Sequence, residues 1–378
     1  MSTLTSILGG AATGFGFGVV LYKVGATRYS RVMGMLTLRD TKVMKFAFTA
    51  IAVASLWYGL AGALGVDESL GLVPRIMPYF GLGHVLGGIL FGIAMGVSGL
   101  CPGTCIAKVG GGAGDKKGAA LAATLGLFAG VLIYTQLKTP LMESGIVLEN
   151  QKPLTLYGVL GLPYAVVALG LGVMLLGVIF VIDRVTAERT FAPAVERHSL
   201  LDYVRGEWSW VASGAIGGTL VVLATAQNGY LGFSGGLLAL TGWISHLVGA
   251  PLEVVPKITD DILWRAALFL GVLPGGFAAH LFSTPSKAAV QTPLPKTFSP
   301  KAIAKSFSMT TLMSLGAMIG GGCTTGAFIS AWPTLSIGSF TMAGTFFLVS
   351  MVVANGRLLV AHTLDMASAQ TVGDRVYD

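Results

Sequence analysis

Three cysteines stand in glycine-rich runs of this chain, and any chemistry would have to begin with them. Cys101 and Cys105 fall four apart in AMGVSGLCPGTC, residues 94–105, and Cys323 falls in AMIGGGCTTGAF, residues 317–328. Three is odd, so a fully paired disulfide framework is excluded. If residues 102–110 open a helix, Pro102 suits its first turn, where the missing N–H has no intrahelical partner anyway. Cys101 then lies near the helix N-terminus and Cys105 one turn inside, on about the same face. A helix N-terminus offers free N–H groups and partial positive charge, which suits an anion. The same field favours a thiolate. Gly103, Thr104, Thr324 and Thr325 would bring amides and hydroxyls to the same place. The plainer reading is that a free cysteine is a small buried hydrophobe. Against it, two of the three stand at equivalent places in two similar runs.

Other chemistries find less support. Zinc would need a further donor such as His84 or His246, and neither has a recognisable ligand spacing to the cysteines. His84 reads as a packed or pore-lining histidine. There is no P-loop and no dinucleotide fingerprint, and GGGAGD at 110–115 reads as a flexible turn. No metal, no cofactor and no enzymatic activity are expected.

The elements that position the cysteines follow from composition. Of 378 residues, 53% are hydrophobic and only 11% charged, with a mean hydropathy of +0.77. A soluble domain carries roughly 25% charged residues, so this chain cannot cover a globular surface with charge. It reads as an all-α polytopic membrane protein. Soluble enzyme, nucleic-acid binder and disordered chain are poor readings, and the net charge of +7 belongs to loops rather than to a nucleic-acid face. The first residues, MSTLTSILGG, lack the basic region of a cleaved signal and read as the start of a retained helix.

A bilayer core takes about 20 apolar residues as helix. On that rule nine spans are expected, near 4–23, 44–65, 79–100, 118–137, 156–182, 208–226, 263–283, 308–326 and 335–354. Residues 26–38, 101–113 and 229–250 are apolar but broken by glycine and polar residues. They read as short or re-entrant pieces, tolerated at that depth only where protein or a water-filled cavity satisfies the backbone. Basic residues alternate. Lys23, Arg28, Arg31, Arg39, Lys42 and Lys45 follow span one, Lys108, Lys116 and Lys117 follow span three, and Arg184, Arg189, Arg197 and Arg205 follow span five. Lys287, Lys296, Lys301 and Lys305 follow span seven, and Arg357 follows span nine. The other connections hold few: Arg75, then Lys138 and Lys152, then Lys257 with Arg265 at the edge of the next span. The rule that cytoplasmic loops are basic puts the N-terminus outside the cytoplasmic membrane and the C-terminus inside.

The chain also reads as a repeat. Aligning Cys101 with Cys323 also aligns Gly99 with Gly321. The expected divisions are an N-terminal repeat of four spans at 1–140, a linker span and loop at 141–206, a second repeat of four spans at 207–356, and a cytoplasmic tail at 357–378. One linker span between two four-span units inverts the second, an architecture that places a substrate site near the midplane by the broken elements. The spans carry almost no ionisable side chains, which speaks against a proton- or sodium-coupled carboxylate relay.

These residues resemble the YeeE/YedE family of sulfur transport proteins, which includes bacterial thiosulfate transporters. The resemblance rests on GFGFGVVLYKVGATRYSRVMGMLTLRD (14–40), GILFGIAMGVSGLCPGT (88–104), GFSGGLLALTGW (232–243) and GAMIGGGCTTGAF (316–328). It implies an hourglass-like helical fold in which thiosulfate passes cysteines by S–H hydrogen bonds without covalent chemistry. By motif, Cys101 and Cys323 take the central places and Cys105 is an additional thiol. Relatives that import thiosulfate usually carry a further cysteine in the first broken element. Here Thr27 stands there, and its hydroxyl can still donate to an anion.

The expected function is uptake of a small sulfur-containing anion, thiosulfate first. Alternatives are another sulfur or selenium species (a persulfide or a selenium oxyanion), or a membrane thiol carrier passing sulfur to a cytoplasmic sulfurtransferase. A structural or partner-anchoring subunit is the third possibility. The expected partners are the anion, the lipid bilayer and that sulfurtransferase.

Overall fold

The computed structural model describes residues 3–111, 117–148, 152–186, 205–249, 252, 259–283 and 300–374. The loop cations Lys116, Arg189, Arg197, Lys257, Lys287 and Lys296, and most of the GGGAGD run, lie outside the described residues.

Among the described residues the backbone is helix and connection, with one isolated antiparallel bridge between Thr155 and Ser336. The helices are α1 (Thr3–Val24), α2 (Tyr29–Leu36), α3 (Lys42–Leu64), α4 (Leu82–Ser98), α5 (Pro102–Gly110), α6 (Lys117–Glu143), α7 (Leu156–Leu160) and α8 (Tyr164–Thr186). After the loop come α9 (Trp210–Ala226), α10 (Phe233–Leu247), α11 (Asp260–Leu281) and α12 (Pro300–Ile319). A wide π-helical turn (Thr324–Ser330) and a 3-10 turn (Trp332–Thr334) then lead into α13 (Ile337–Asp374).

Eight of these segments are long and apolar enough to cross a membrane, α4 and α5 together making one of them, Leu82–Gly110. The chain is a multi-pass helical membrane protein. The expected sixth span is α9, shorter at 17 residues, or about 25 Å at 1.5 Å per residue. Residues 229–250 hold α10, a continuous helix of 15 residues, so the element expected there is a short one. The expected 156–182 span is cut. Gly161 at φ +65° ends α7, and the spanning helix starts only at Tyr164, after Pro163. The expected 308–326 span begins earlier, at Pro300, and stops at Ile319, so Cys323 lies beyond its end. Lys301 and Lys305 hid that first turn, since they lower its hydropathy without breaking the helix. The expected tail from 357 continues as helix to Asp374.

Capping sets several of these boundaries. Ser209 accepts the Ala212 N–H at 3.2 Å to start α9, and Thr259 accepts the Ile262 N–H at 3.4 Å to start α11. Each hydroxyl satisfies one of the amides left open by the first turn.

The pairing of helices frames the site. α1 packs along α11, and α9 along α3. α6 packs along α12, and α13 along α4. α4 also crosses α12. The α1–α11 seam is a run of small residues. A Cβ at Gly14 would stand 2.1 Å from the Leu268 carbonyl oxygen, and one at Gly275 2.2 Å from that of Phe15. Close approach of this kind is how membrane helices gain packing where lipid offers no hydrophobic drive. α8 packs mainly on α3 and turns Val166, Val173 and Phe180 outward, as a lipid-facing helix would.

One end of the bundle gathers ion pairs. Glu207 accepts from Lys42 Nζ at 3.0 Å and Arg31 at 3.4 Å, and pairs with Arg28. Arg31 also donates to Asp40 at 2.6 Å, and Lys45 to Asp183 at 2.8 Å. Burial would raise the Glu207 carboxyl. The charges of Lys42 and Arg28 outweigh it and hold the group below the usual carboxylate range.

Candidate functional site

Both cysteine runs fall where a helix stops inside the bundle. In the first, α4 ends at Gly99, which takes φ +61°. That left-handed conformation is cheap only for glycine. The chain then runs extended through Cys101, which caps α5. In the second, α12 ends, Gly321 takes φ +82°, and extended Cys323 caps the π-helical turn. Cys101, Cys105 and Cys323 are free thiols, all buried.

Around Cys101 the polar groups are matched. The Cys101 sulfur accepts the backbone N–H of Thr104. The Thr104 hydroxyl accepts the Cys101 N–H at 2.8 Å and donates to the Cys101 carbonyl at 2.9 Å. This reciprocal cap satisfies amides that the first turn leaves open. The Thr104 proton is thereby committed to its own cap. Cys105 donates its N–H to the Cys101 carbonyl at 2.9 Å, one turn along as the spacing requires. Gly103 faces the Phe233 ring at the start of α10, and a Cβ there would lie 2.3 Å from it. Its place is a close approach that leaves no room for a side chain.

Around Cys323 the matching is incomplete. The Cys323 carbonyl accepts the Ala327 N–H at 2.7 Å. Tyr230 donates its hydroxyl to the Gly326 carbonyl at 2.6 Å, and Ser330 donates to the Leu231 carbonyl at 2.6 Å. These bonds hold the turn to the chain entering α10. Thr325 is buried. The Thr324 hydroxyl oxygen is buried and has no hydrogen-bond partner. An orphaned hydroxyl of this kind is a group available to a ligand.

Thr27 is buried in the turn between α1 and α2. It stands two residues before Tyr29, whose ring lies 2.7 Å from where a Cβ on Gly99 would be. The first broken element thus closes over the first break, but the structure ties Thr27 itself to no thiol.

His84 is a packed histidine. Its Nε2 accepts the Phe80 N–H at 2.9 Å, so Nδ1 carries the proton and donates to the Gly320 carbonyl at 2.8 Å. The ring stacks on Phe80, with centroids 5.2 Å apart. It ties the start of α4 to the run before Cys323. Among the described residues no cluster of three His, Cys, Asp or Glu could hold a metal ion.

The sequence missed a cavity of about 200 Å³ that Gly321 helps to line. Arg75, Tyr230, Ser234 and Arg265 line it. The signal lay in Arg265, six residues inside α11 and one turn after Asp261. An arginine inside an apolar span marks a functional site by default.

The fold is that of a multi-pass helical membrane protein with two thiol-bearing breaks. The Sulphur transport family model matches residues 29–352, most of the chain and both breaks. The protein belongs to that family, and its class of activity is movement of sulfur across a membrane. Comparison with curated proteins returns no match.

Proposed function

We propose that the protein takes up a small sulfur-containing anion, thiosulfate first, across the cytoplasmic membrane. The path runs between the two breaks, and Cys101 and Cys323 contact the anion there through S–H donors. Cys105 receives it one turn further along. One observation carries this reading: Cys101 and Cys323 occupy the same capping position, each two residues behind a left-handed glycine, where a helix is interrupted inside the bundle.

The helix pairing supports an inverted repeat around that point. If residues 1–140 and 207–356 are equivalent, α1 matches α9, α3 matches α11, α4 matches α12 and α6 matches α13. The pair α1–α11 then becomes α9–α3, and α6–α12 becomes α13–α4, which are the pairs present. The linker helix α8 has no counterpart in this pairing and packs on α3 with an exposed apolar face. The basic-loop asymmetry places the Glu207 end in the cytoplasm, with the N-terminus outside. A cytoplasmic sulfurtransferase is the partner this orientation would present with the product.

The energetics favour neutral donors. Taking an anion out of water costs several kcal/mol unless it is compensated. Thiols, the Thr324 hydroxyl and backbone amides supply donors without a fixed cation at the constriction that would trap the ion. The test is uptake of radiolabelled thiosulfate by proteoliposomes, with wild type beside Cys101→Ala and Cys323→Ala. Loss in both variants is expected, and full uptake by both would sink the cysteine path.

A further inference from the structure

Each helix that leads into a cysteine break ends on carbonyls that its own last turn leaves open. At both breaks a side chain from the far half of the chain reaches them. At the first, Arg357 of α13 donates an Nη to the Val97 carbonyl at 2.7 Å and to the Gly96 carbonyl at 3.3 Å, in the last turn of α4. Two turns earlier on α13, Ser350 donates to the Gly92 carbonyl at 3.1 Å. Between them Asn355 donates to the Leu36 carbonyl, the last of α2, at 3.2 Å. At the second break the roles are exchanged. His84, in the first turn of α4, donates to the Gly320 carbonyl at 2.8 Å, one residue past the end of α12. The backbones of α4 and α12 meet there, and a Cβ on Gly87 would overlap the Gly320 amide. Arg357 is exposed and His84 is buried.

We infer that Arg357 and His84 are a matched pair of positioning residues. Each holds, from the opposite half, the helix end that carries one cysteine. The inference rests on the transport reading above and deepens it. A helix C-terminus bears partial negative charge, and a cation or an N–H donor on its last carbonyls offsets that charge. Left open, those carbonyls would set negative charge beside the path of an anion. Held, they also fix where the next residues go. Gly99 and Gly321 turn the chain, and Cys101 comes four residues after Val97, Cys323 three after Gly320. Fraying of either last turn therefore displaces its thiol. Water competes for the exposed guanidinium, so Arg357 holds its helix less firmly than the buried His84 holds the other. Because the donors are exchanged between the halves, neither break is set without the other half in place.

The test is alkylation of single thiols by N-ethylmaleimide in the purified full chain in detergent, read by intact mass. Cys105→Ala/Cys323→Ala leaves Cys101 alone, and Cys101→Ala/Cys105→Ala leaves Cys323 alone. Arg357→Ala should speed labelling of Cys101 about threefold or more and leave Cys323 at its parent rate. His84→Phe should speed labelling of Cys323 by about tenfold, since the Gly320 carbonyl loses a buried donor, and leave Cys101 at its parent rate. Arg357→Lys and His84→Gln each keep an N–H donor and should restore most of the protection, which a merely structural filler would not explain. Crossed labelling without thiosulfate uptake by wild type would sustain the positioning and count against the cargo alone. Acceleration of both thiols alike by either variant, acceleration of neither, or no rescue by the two conservative variants would overturn it.

Discussion

The two breaks share a plan and differ in how they spend their hydrogen bonds. In the first, Thr104 closes a reciprocal cap on Cys101 and α5 proceeds as a regular helix. In the second, Thr324 follows Cys323 with its hydroxyl unpartnered, and the backbone winds wide. The first is self-sufficient. The second leans on Tyr230 and Ser330, which belong to or bind the chain entering α10, and it borders the arginine-lined cavity. The same glycine–x–cysteine signal therefore builds one break with its hydroxyl engaged and one, the receptive side in the transport reading, with its hydroxyl unpartnered.

The strongest way to break that comparison is to remove the thiols one at a time. Cys101→Ala and Cys323→Ala should each reduce proteoliposome uptake to background. Cys105→Ala, one turn removed, should slow it only a few-fold. Equal loss in all three would make the breaks one undifferentiated thiol pool.

Next in size is a contrast between two glycines. Gly103→Ala would press a methyl into the Phe233 ring at 2.3 Å, whereas the nearest atom to a Cβ on Gly326 is 3.5 Å away. The first should cost about 1–3 kcal/mol for overpacking, more than the gain of up to about 1 kcal/mol from replacing glycine in a helix. Gly326→Ala should be close to neutral. Thermal unfolding in detergent, followed by size-exclusion recovery, separates the two.

The threonines give a smaller and sharper contrast. Thr104→Val deletes a cap and should lower stability by about 1 kcal/mol. Thr324→Val removes a hydroxyl with no partner, so stability should hold within about 0.5 kcal/mol. Its uptake rate should nevertheless fall, because the donor served the anion. Unchanged uptake by Thr324→Val would remove the receptive side from the account.

The smallest effect lies at the Glu207 end. A carboxyl held below its ordinary range by Lys42 and Arg28 against the opposing effect of burial stabilises the fold above the unfolded value. That contribution is lost as pH falls through the lower, folded value. Melting temperature should therefore drop on acidification below about pH 4, and Glu207→Gln should flatten that part of the profile.

Much of this was legible in the residues. Hydropathy gave the long helices, glycine gave the breaks at Gly99 and Gly321, and the repeated motif singled out Cys101 and Cys323. Four features were not legible. Lys301 and Lys305 disguised a helical turn as a loop, and Gly161 with Pro163 cut a span that hydropathy reads as continuous. Thr104 and Thr324 are alike as letters, and only the local winding decides which hydroxyl is already engaged. Arg75 and Arg265 are 190 positions apart, so no window along the chain could pair them.

The α1–α11 seam has a mechanical consequence. Gly14 and Gly275 bring two backbones into contact with no layer of side chains between them to yield. A joint of that kind is stiff: it behaves as one beam, and α9 on α3 doubles it. Because each beam borrows one helix from either end of the sequence, the two ends are clasped rather than hinged. Opening by swinging half against half would have to unzip both beams. The compliance left to the molecule lies in its short pieces, α2, α5, α10 and the wide turn. A cargo would pass through a fixed frame by small local yielding, as a bead through a gasket.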